Sequence, residues 1–222
     1  MYYVETFNSL LFEDYPHIKS LMEYLEQIAE ILYNLKLPVL WRLPHGLQVT
    51  QRYSKEVIKK VRPYYFSKKE LSLTLTDKTE INLIKQKNAL MPNLVHSLDA
   101  ATMLLLYYSL KRVSKEKYVN FYSVHDCFGV TADKVEILIT LIRNIYIDIY
   151  SNSKYIETFD KDVIENIKLH LGDKVKYLKD KREIKDGIDI NITLPPIPDN
   201  SLNVKIIKEY YRKLSKALLL IN

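Results

Sequence analysis

Apolar residues recur at helical spacing between Tyr15 and Lys36, with Ile18, Leu21, Met22, Leu25, Ile28 and Leu32 on one face. This predicts an amphipathic helix, ended by the Leu37–Pro38 step because the residue before proline is driven out of the helical region. Trp41 to Gly46 reads as a turn, and Leu47 to Tyr53 alternates as a strand. Leu71 to Thr76 repeats with period two and threonines on one side, a second strand. Between these strands Lys55, Lys59, Lys60, Arg62, Lys68 and Lys69 interleave with Tyr53, Tyr64, Tyr65 and Phe66. A helix is expected from Asn93, just past Pro92, to about Arg112. The short apolar runs Phe121–Val124 and Phe128–Thr131 outline a hairpin around His125 and Asp126. Helices follow over Glu136–Tyr150 and Asp160–Leu171, the second ending near Gly172. Lys174–Lys185 reads as a charged, solvated surface stretch, Thr193–Asp199 as extended because of its prolines, and Leu202–Leu220 as a last helix. No internal repeat is found.

Composition narrows the class. At 222 residues the chain can bury a core without covalent staples. Hydrophobic residues at 47% and a mean hydropathy of −0.17 describe a globular protein. The longest apolar run, Ala100–Leu110, falls short of the ~18 residues of a membrane span, so no membrane is expected. Glu5, Glu13 and Asp14 precede the first basic residue, Lys19, which fits neither a secretory signal nor a transit peptide. The single cysteine, Cys127, excludes an intrachain disulfide and a cysteine-cluster zinc site. The net charge of +6, from 33 basic and 27 acidic residues, permits a nucleic-acid partner without requiring one. Abundant Lys, Ile, Asn and Tyr match an AT-rich genome, which inflates the lysine count independently of chemistry.

Two segments are candidates for chemistry. In Val124-His125-Asp126-Cys127-Phe128-Gly129, a carboxylate stands at a hairpin tip between runs able to be buried. Such a group needs a cation or a donor, and a divalent metal bridging phosphate oxygens would serve. The alternative is a plain turn with Asp at a favoured position. In the second segment, Lys85 to Asp99, a helix would place His96, Asp99 and Met103 on one face. The alternative is a helix start capped by Asn93 with Asp99 solvated. A third segment, Trp41 to Tyr53, reads on its own as a structural hairpin with Trp41 in the core.

Taken in order, these segments resemble the C-terminal part of the single-subunit DNA-dependent RNA polymerases, the phage and mitochondrial type also carried on linear organelle plasmids. Trp41, Pro44, Gly46, Val49, Gln51 and Tyr53 are similar to that family's W-x-T-P-x-G-x-P-V-x-Q-x-Y stretch. Lys85-Gln86, then Pro92-Asn93, Val95-His96-Ser97 and Asp99, resemble its K-Q…P-N-F-[IV]-H-S-x-D stretch. His125-Asp126-Cys127-Phe128-Gly129 resembles its H-D-S-F-G core, motif C of the palm, and Leu194–Pro198 its C-terminal proline run. The resemblance spans roughly 41–198. It follows a helical lead-in over 1–40 and precedes a divergent C-terminal helix over 199–222.

What the resemblance implies is an α+β fold, with helices packed on a small antiparallel palm sheet that includes the motif C hairpin. It implies template-directed RNA synthesis from ribonucleoside triphosphates on a DNA template. Asp126 would be one of two aspartates that bind a Mg²⁺ pair, which activates the 3′-hydroxyl of the RNA and stabilises the leaving pyrophosphate. His125 would lie beside it. His96 would face the minor groove of the template–product duplex, where acceptors are nearly independent of sequence. Lys85, Gln86 and Asn93 would lie on the nucleic-acid-binding segment leading to it. A mitochondrion or its plasmid is the implied compartment.

The chain departs from the pattern at Leu43, Gln48, Ala89, Thr102 and Cys127, where the family has Thr, Pro, Gly, His and Ser. It carries no Asp-Gly-Ser/Thr motif for the second aspartate; Asp186-Gly187-Ile188 comes after motif C. It also lacks the Lys- and Tyr-bearing helix that grips the incoming nucleotide. The expectation is therefore a truncated or split polymerase, inactive alone, whose partner would be the missing N-terminal portion. Two alternatives stand beside it. One is a family A DNA polymerase fragment, whose motif C also reads Val-His-Asp but continues with Glu. The other is a non-catalytic nucleic-acid-binding remnant.

Overall fold

Helix starts and stops along this chain are set by local chemistry. A computed structural model of the chain describes residues 2–61, 71–115, 118–152, 155–172, 176–185, 191–198 and 213. Helix α1 (Tyr2–Asp14) leads into α2 (Pro16–Asn34), which opens on Pro16, where a missing N–H costs nothing. α2 ends with Lys36 in the left-handed region at φ 58°. There Leu37 N–H donates to the Leu32 carbonyl at 2.8 Å and Lys36 N–H to Tyr33 at 2.9 Å, a glycine-type helix stop made by a lysine. The buried face of α2 is Tyr24, Leu25, Ile28, Ala29 and Leu32, in agreement with the apolar periodicity.

Strands β1 (Val39–Arg42) and β2 (Gln48–Gln51) pair antiparallel around the Pro44–Gly46 turn. Gly46 sits at φ 94°, which a side chain would resist. Strands β3 (Ser54–Val61) and β4 (Leu71–Ile81) form a longer antiparallel hairpin that packs mainly on itself. The basic–aromatic residues Arg62 to Lys69 lie outside the described residues.

Helix α3 (Leu83–Ser114) is the axis of the fold. The sequence reading started it after Pro92; it starts ten residues earlier, with the Asn82 side chain accepting from Lys85 N–H at 3.1 Å. Pro92 is absorbed inside the helix. It removes one backbone bond, and packing on both sides holds the two halves together. Asn93 is accordingly not a cap. By length and composition α3 could cross a bilayer, with a window of mean hydropathy 1.3. Its apolar character has a plainer use: α3 packs on α2 along one half and on α4 along the other.

Beyond α3 come β5 (Phe121–Val124) and β6 (Cys127–Val130), the expected hairpin, then α4 (Val135–Tyr146), which widens into a π-helical turn over Ile147–Asn152. Helix α5 (Tyr155–Leu171) starts five residues before its predicted start and stops at Gly172, φ 80°. The stretch read as solvated charge instead contains β7 (Lys176–Leu178) and β8 (Glu183–Lys185); β8 is the central strand of a three-stranded antiparallel sheet, with β7 on one side and β9 (Asn191–Thr193) on the other. Flanking lysines masked one fully buried residue, Ile184, which anchors that sheet to the core. The predicted helix over Leu202–Leu220 lies outside the described residues, apart from Lys213.

The fold is α+β. Among the described residues the strands form four separate small antiparallel sheets rather than one. Two hydrophobic cores lie along α3. The first joins α2, β1, α5 and Ile184 to Leu90, Leu94 and Ala101, with Trp41 at its centre. The second joins Leu98 and Leu106 to α4, and the β5–β6 hairpin packs against it through Phe121, Phe128 and Val130. Each fully buried large apolar side chain contributes roughly 1.5–3 kcal/mol, so α3 is held firmly at both ends.

Candidate active site

The two-residue loop of the β5–β6 hairpin presents the candidate carboxylate. Val124 pairs with Cys127, leaving His125 and Asp126 as the tip. His125 adopts φ 52°, a conformation that short hairpins normally assign to glycine. Histidine tolerates it better than most residues, yet it is a strained position of the kind that collects at functional sites. Both His125 and Asp126 are exposed, with Cys127 Sγ 4.0 Å from Asp126 Oδ1. Alternation splits the hairpin into two faces. Phe121 and Phe128 stack at 6.0 Å and pack toward α3 and α4, while Tyr122 and Val124 point outward.

The inner face connects the hairpin to α3: Ser123 Oγ donates to Met103 Sδ at 3.0 Å. Met103, Asp99 and His96 follow one another back along α3 at helical spacing. His96 and Met103 are exposed and Asp99 is half-buried. The Ser123–Met103 contact thus seats the hairpin that bears Asp126 against α3, two helical turns beyond His96.

Of the remaining predicted residues, Gln86 is buried and Asn93 half-buried, while Lys85 is exposed. Gln86 is 1% exposed and Gln51 4%. They form a reciprocal pair: Gln51 Nε2 donates to the Gln86 carbonyl and Gln86 Nε2 to the Gln51 carbonyl, both at 2.9 Å. Gln86 Oε1 accepts from Tyr53 N–H at 3.0 Å. Asn93 Nδ2 donates to Gln51 Oε1 at 2.8 Å and to the Tyr53 hydroxyl at 3.0 Å. Lys85 lies 5.3 Å over the Tyr53 ring and 3.5 Å from Glu56. One helical turn past Asn93, Trp41 Nε1 donates to Ser97 Oγ at 3.0 Å. Gln86 and Asn93 thus spend their polar groups joining α3 to β2 and Tyr53.

Sequence reading missed a second polar network. The Tyr24 hydroxyl donates to Asp160 Oδ1 at 2.7 Å, while Arg182 grips both oxygens of Asp160 and gives its Nε to the Pro195 carbonyl at 2.8 Å. Burial first, and then the bond to Asp160, push the Tyr24 phenol well above its usual range. Nearby, Asp162 accepts from Arg42 N–H at 2.9 Å, and the Arg42 guanidinium reaches Glu165 at 2.9 Å. These groups tie α5 to α2, β1 and the β7–β8 turn. The available signal was two aspartates on the apolar face of α5, beside Phe159 and Val163.

Whether these residues suit a Mg²⁺ pair can be judged from the donors present. Among the described residues no group of three or more His, Cys, Asp and Glu side chains is arranged to hold a metal. Asp126 is an exposed carboxylate outside any such group, so the described residues do not form a two-metal site by themselves.

A family model described as DNA-dependent RNA polymerase matches residues 2–193. A Podospora anserina protein named "Probable DNA-directed RNA polymerase" is 40% identical over 161 residues, which is 72% of this chain and 17% of that protein. A Neurospora crassa protein of the same name is 32% identical over 92% of this chain and 24% of its own length. "DNA-directed RNA polymerase 2B, chloroplastic/mitochondrial" of Nicotiana tabacum is 30% identical over 66% of this chain and 14% of its own length. The chain thus spans under a quarter of each of these relatives. All three are named as DNA-directed RNA polymerases, not as DNA polymerases. Together with the ordered motifs along α3 and the His125–Asp126 hairpin, the match over 2–193 makes this chain a member of the DNA-dependent RNA polymerase family.

Proposed function

We propose that this chain is the portion of a DNA-directed RNA polymerase that supplies one active-site carboxylate, Asp126, and the duplex-facing surface of α3. The β5–β6 hairpin corresponds to motif C and belongs to the palm. The observation that supports this reading is the Ser123–Met103 contact, which joins the hairpin bearing the exposed His125–Asp126 tip to the helix bearing the exposed His96. Asp126 contributes one ligand to a Mg²⁺ site whose other acidic ligand comes from outside the described residues. His125 stands beside it as a donor, and His96 faces the minor groove of the DNA–RNA duplex, where a donor senses pairing rather than sequence. The partners are template DNA, product RNA, ribonucleoside triphosphates and the rest of the polymerase. The stretch 41–198 holds these functions. An organelle, or a linear plasmid within it, is the compartment that fits relatives named chloroplastic/mitochondrial.

Gln86 and Asn93 take a supporting part in this reading. Both residues are bonded within the protein, so their part in nucleic-acid binding is indirect, through α3. Lys85 is exposed and keeps a direct role.

The test is nucleotide incorporation on a DNA template by the purified chain. The proposal expects none above background. Robust incorporation that Asp126→Ala abolishes would show that the chain assembles a complete site alone.

A further inference from the structure

The inner face of α3 poses a packing question. Leu90, Leu94 and Ala101 fill the first core along that face. Apolar packing of this kind is non-directional, and it does not by itself choose between neighbouring rotations of a helix. Gln86 and Asn93 sit among these residues and are bonded to Gln51 on the facing strand. Both polar atoms of the Gln51 side chain are engaged: its amide nitrogen donates to the Gln86 carbonyl and its oxygen accepts from Asn93. Buried polar groups that lose their partners are costly, so this pairing fits one register and penalises the others. A buried asparagine fixes register in a coiled coil by the same logic, at some cost in stability.

We propose that Gln51 is a positioning residue: through Gln86 and Asn93 it fixes the rotation of α3 about its own axis, and with it the direction in which His96 projects. His96 lies between the two bolts Asn93 and Ser97, at the rim of the face they define. One step of rotation is ~100°, and at the radius of a helix with side chains it would carry a group by roughly 8 Å. A displacement of that size would redirect His96 relative to the hairpin that bears Asp126. The functional meaning rests on the reading that His96 faces the duplex; the mechanical claim does not.

The native Cys127 supplies one of two label positions. In the 222-residue chain carrying His96→Cys, spin labels at Cys127 and at position 96 report their separation by pulsed electron paramagnetic resonance. The expected result is one narrow distance with Gln51 intact. With Gln51→Met, which keeps length and removes both side-chain bonds, the distribution shifts or broadens by several ångströms under conditions where circular dichroism shows a folded chain. Asn93→Ala, at a half-buried site, is a milder second variant and decides the matter if Gln51→Met does not fold. A distribution unchanged in the folded variants, even with a lowered melting temperature, overturns the proposal and leaves Gln51 a simple structural residue. Fluorescence anisotropy of a labelled RNA–DNA hybrid tests the underlying reading separately. Binding that His96→Ala leaves unchanged would refute the duplex-facing role of His96 while the distance measurement still judges the register.

Discussion

Trp41 and Ser97 meet across the first core: the indole Nε1 donates to Ser97 Oγ at 3.0 Å, and Ser97 Oγ in turn donates to the Leu94 carbonyl at 2.7 Å. Two motifs separated by half a hundred residues are joined by this relay. Trp41 is 1% exposed, so its N–H has no water to turn to. Ser97→Ala is expected to cost about 1–3 kcal/mol, the penalty of a buried unpaired donor. Trp41 is the single tryptophan of the chain, so its fluorescence during urea unfolding reads the change directly, as a lower midpoint with an unchanged slope.

The Asp160–Arg182 pair closes the first core from the other side, with side-chain exposures of 4% and 20%. Removing one member leaves the other charged and poorly solvated. Asp160→Asn is therefore expected to destabilise the chain by about 3 kcal/mol or more, and Asp160→Asn with Arg182→Met to recover most of that loss. Denaturation midpoints of the single and double variants check it; equal destabilisation in both would contradict it.

Tyr24 gives the same network a pH dependence. Burial and the bond to Asp160 raise its phenol above the ordinary value of ~10. A group whose folded value is raised contributes stability that is complete below the unfolded value and is lost as pH climbs above it. The advantage of the wild-type chain over Tyr24→Phe is thus expected to be constant from pH 7 to about 9 and to shrink above ~10. Paired urea titrations at neutral and alkaline pH measure it, and an advantage that grows with pH would count against the assignment.

His125 holds a left-handed backbone at φ 52° on the candidate carboxylate tip. Relieving a strained non-glycine residue with glycine is worth about 1 kcal/mol, partly offset by chain entropy. His125→Gly is therefore expected to hold or slightly raise the melting temperature while weakening binding to nucleic acid. A clear fall in melting temperature would show that the imidazole supports the hairpin.

Part of this arrangement was legible in the residues. The apolar stripe of α2 and the β5–β6 hairpin were readable because each is a local pattern with one solvent-facing side, and β4 was readable from its strict alternation of Leu with Ser or Thr, although both of its faces are exposed. The first ten residues of α3 were not, because Pro92 is a stop signal whose cost only tertiary packing can meet. Nor was β8, where the lysines around Ile184 outweighed one buried side chain in any window average. Gln86 and Asn93 lie on the segment expected to bind nucleic acid, and their packing into the core does not follow from that expectation. The contrary signal was their spacing: Gln86 falls one turn before Leu90, and Asn93 beside Leu94, on the face that fills the core. The Asp160–Arg182 pairing spans 22 residues and two elements, beyond the reach of local periodicity.

The central claim is that the exposed Asp126 is an active-site carboxylate of a polymerase assembled around this chain. It is tested most directly by exchanging the matched stretch of a full-length relative, such as the Podospora anserina protein, for the matching residues of this chain. RNA synthesis on a DNA template is then measured with Asp126 intact and with Asp126→Asn. The account predicts a chimera that synthesises RNA and loses that activity with Asp126→Asn while its fold and hybrid binding persist. Synthesis that continues undiminished with Asp126→Asn would contradict it.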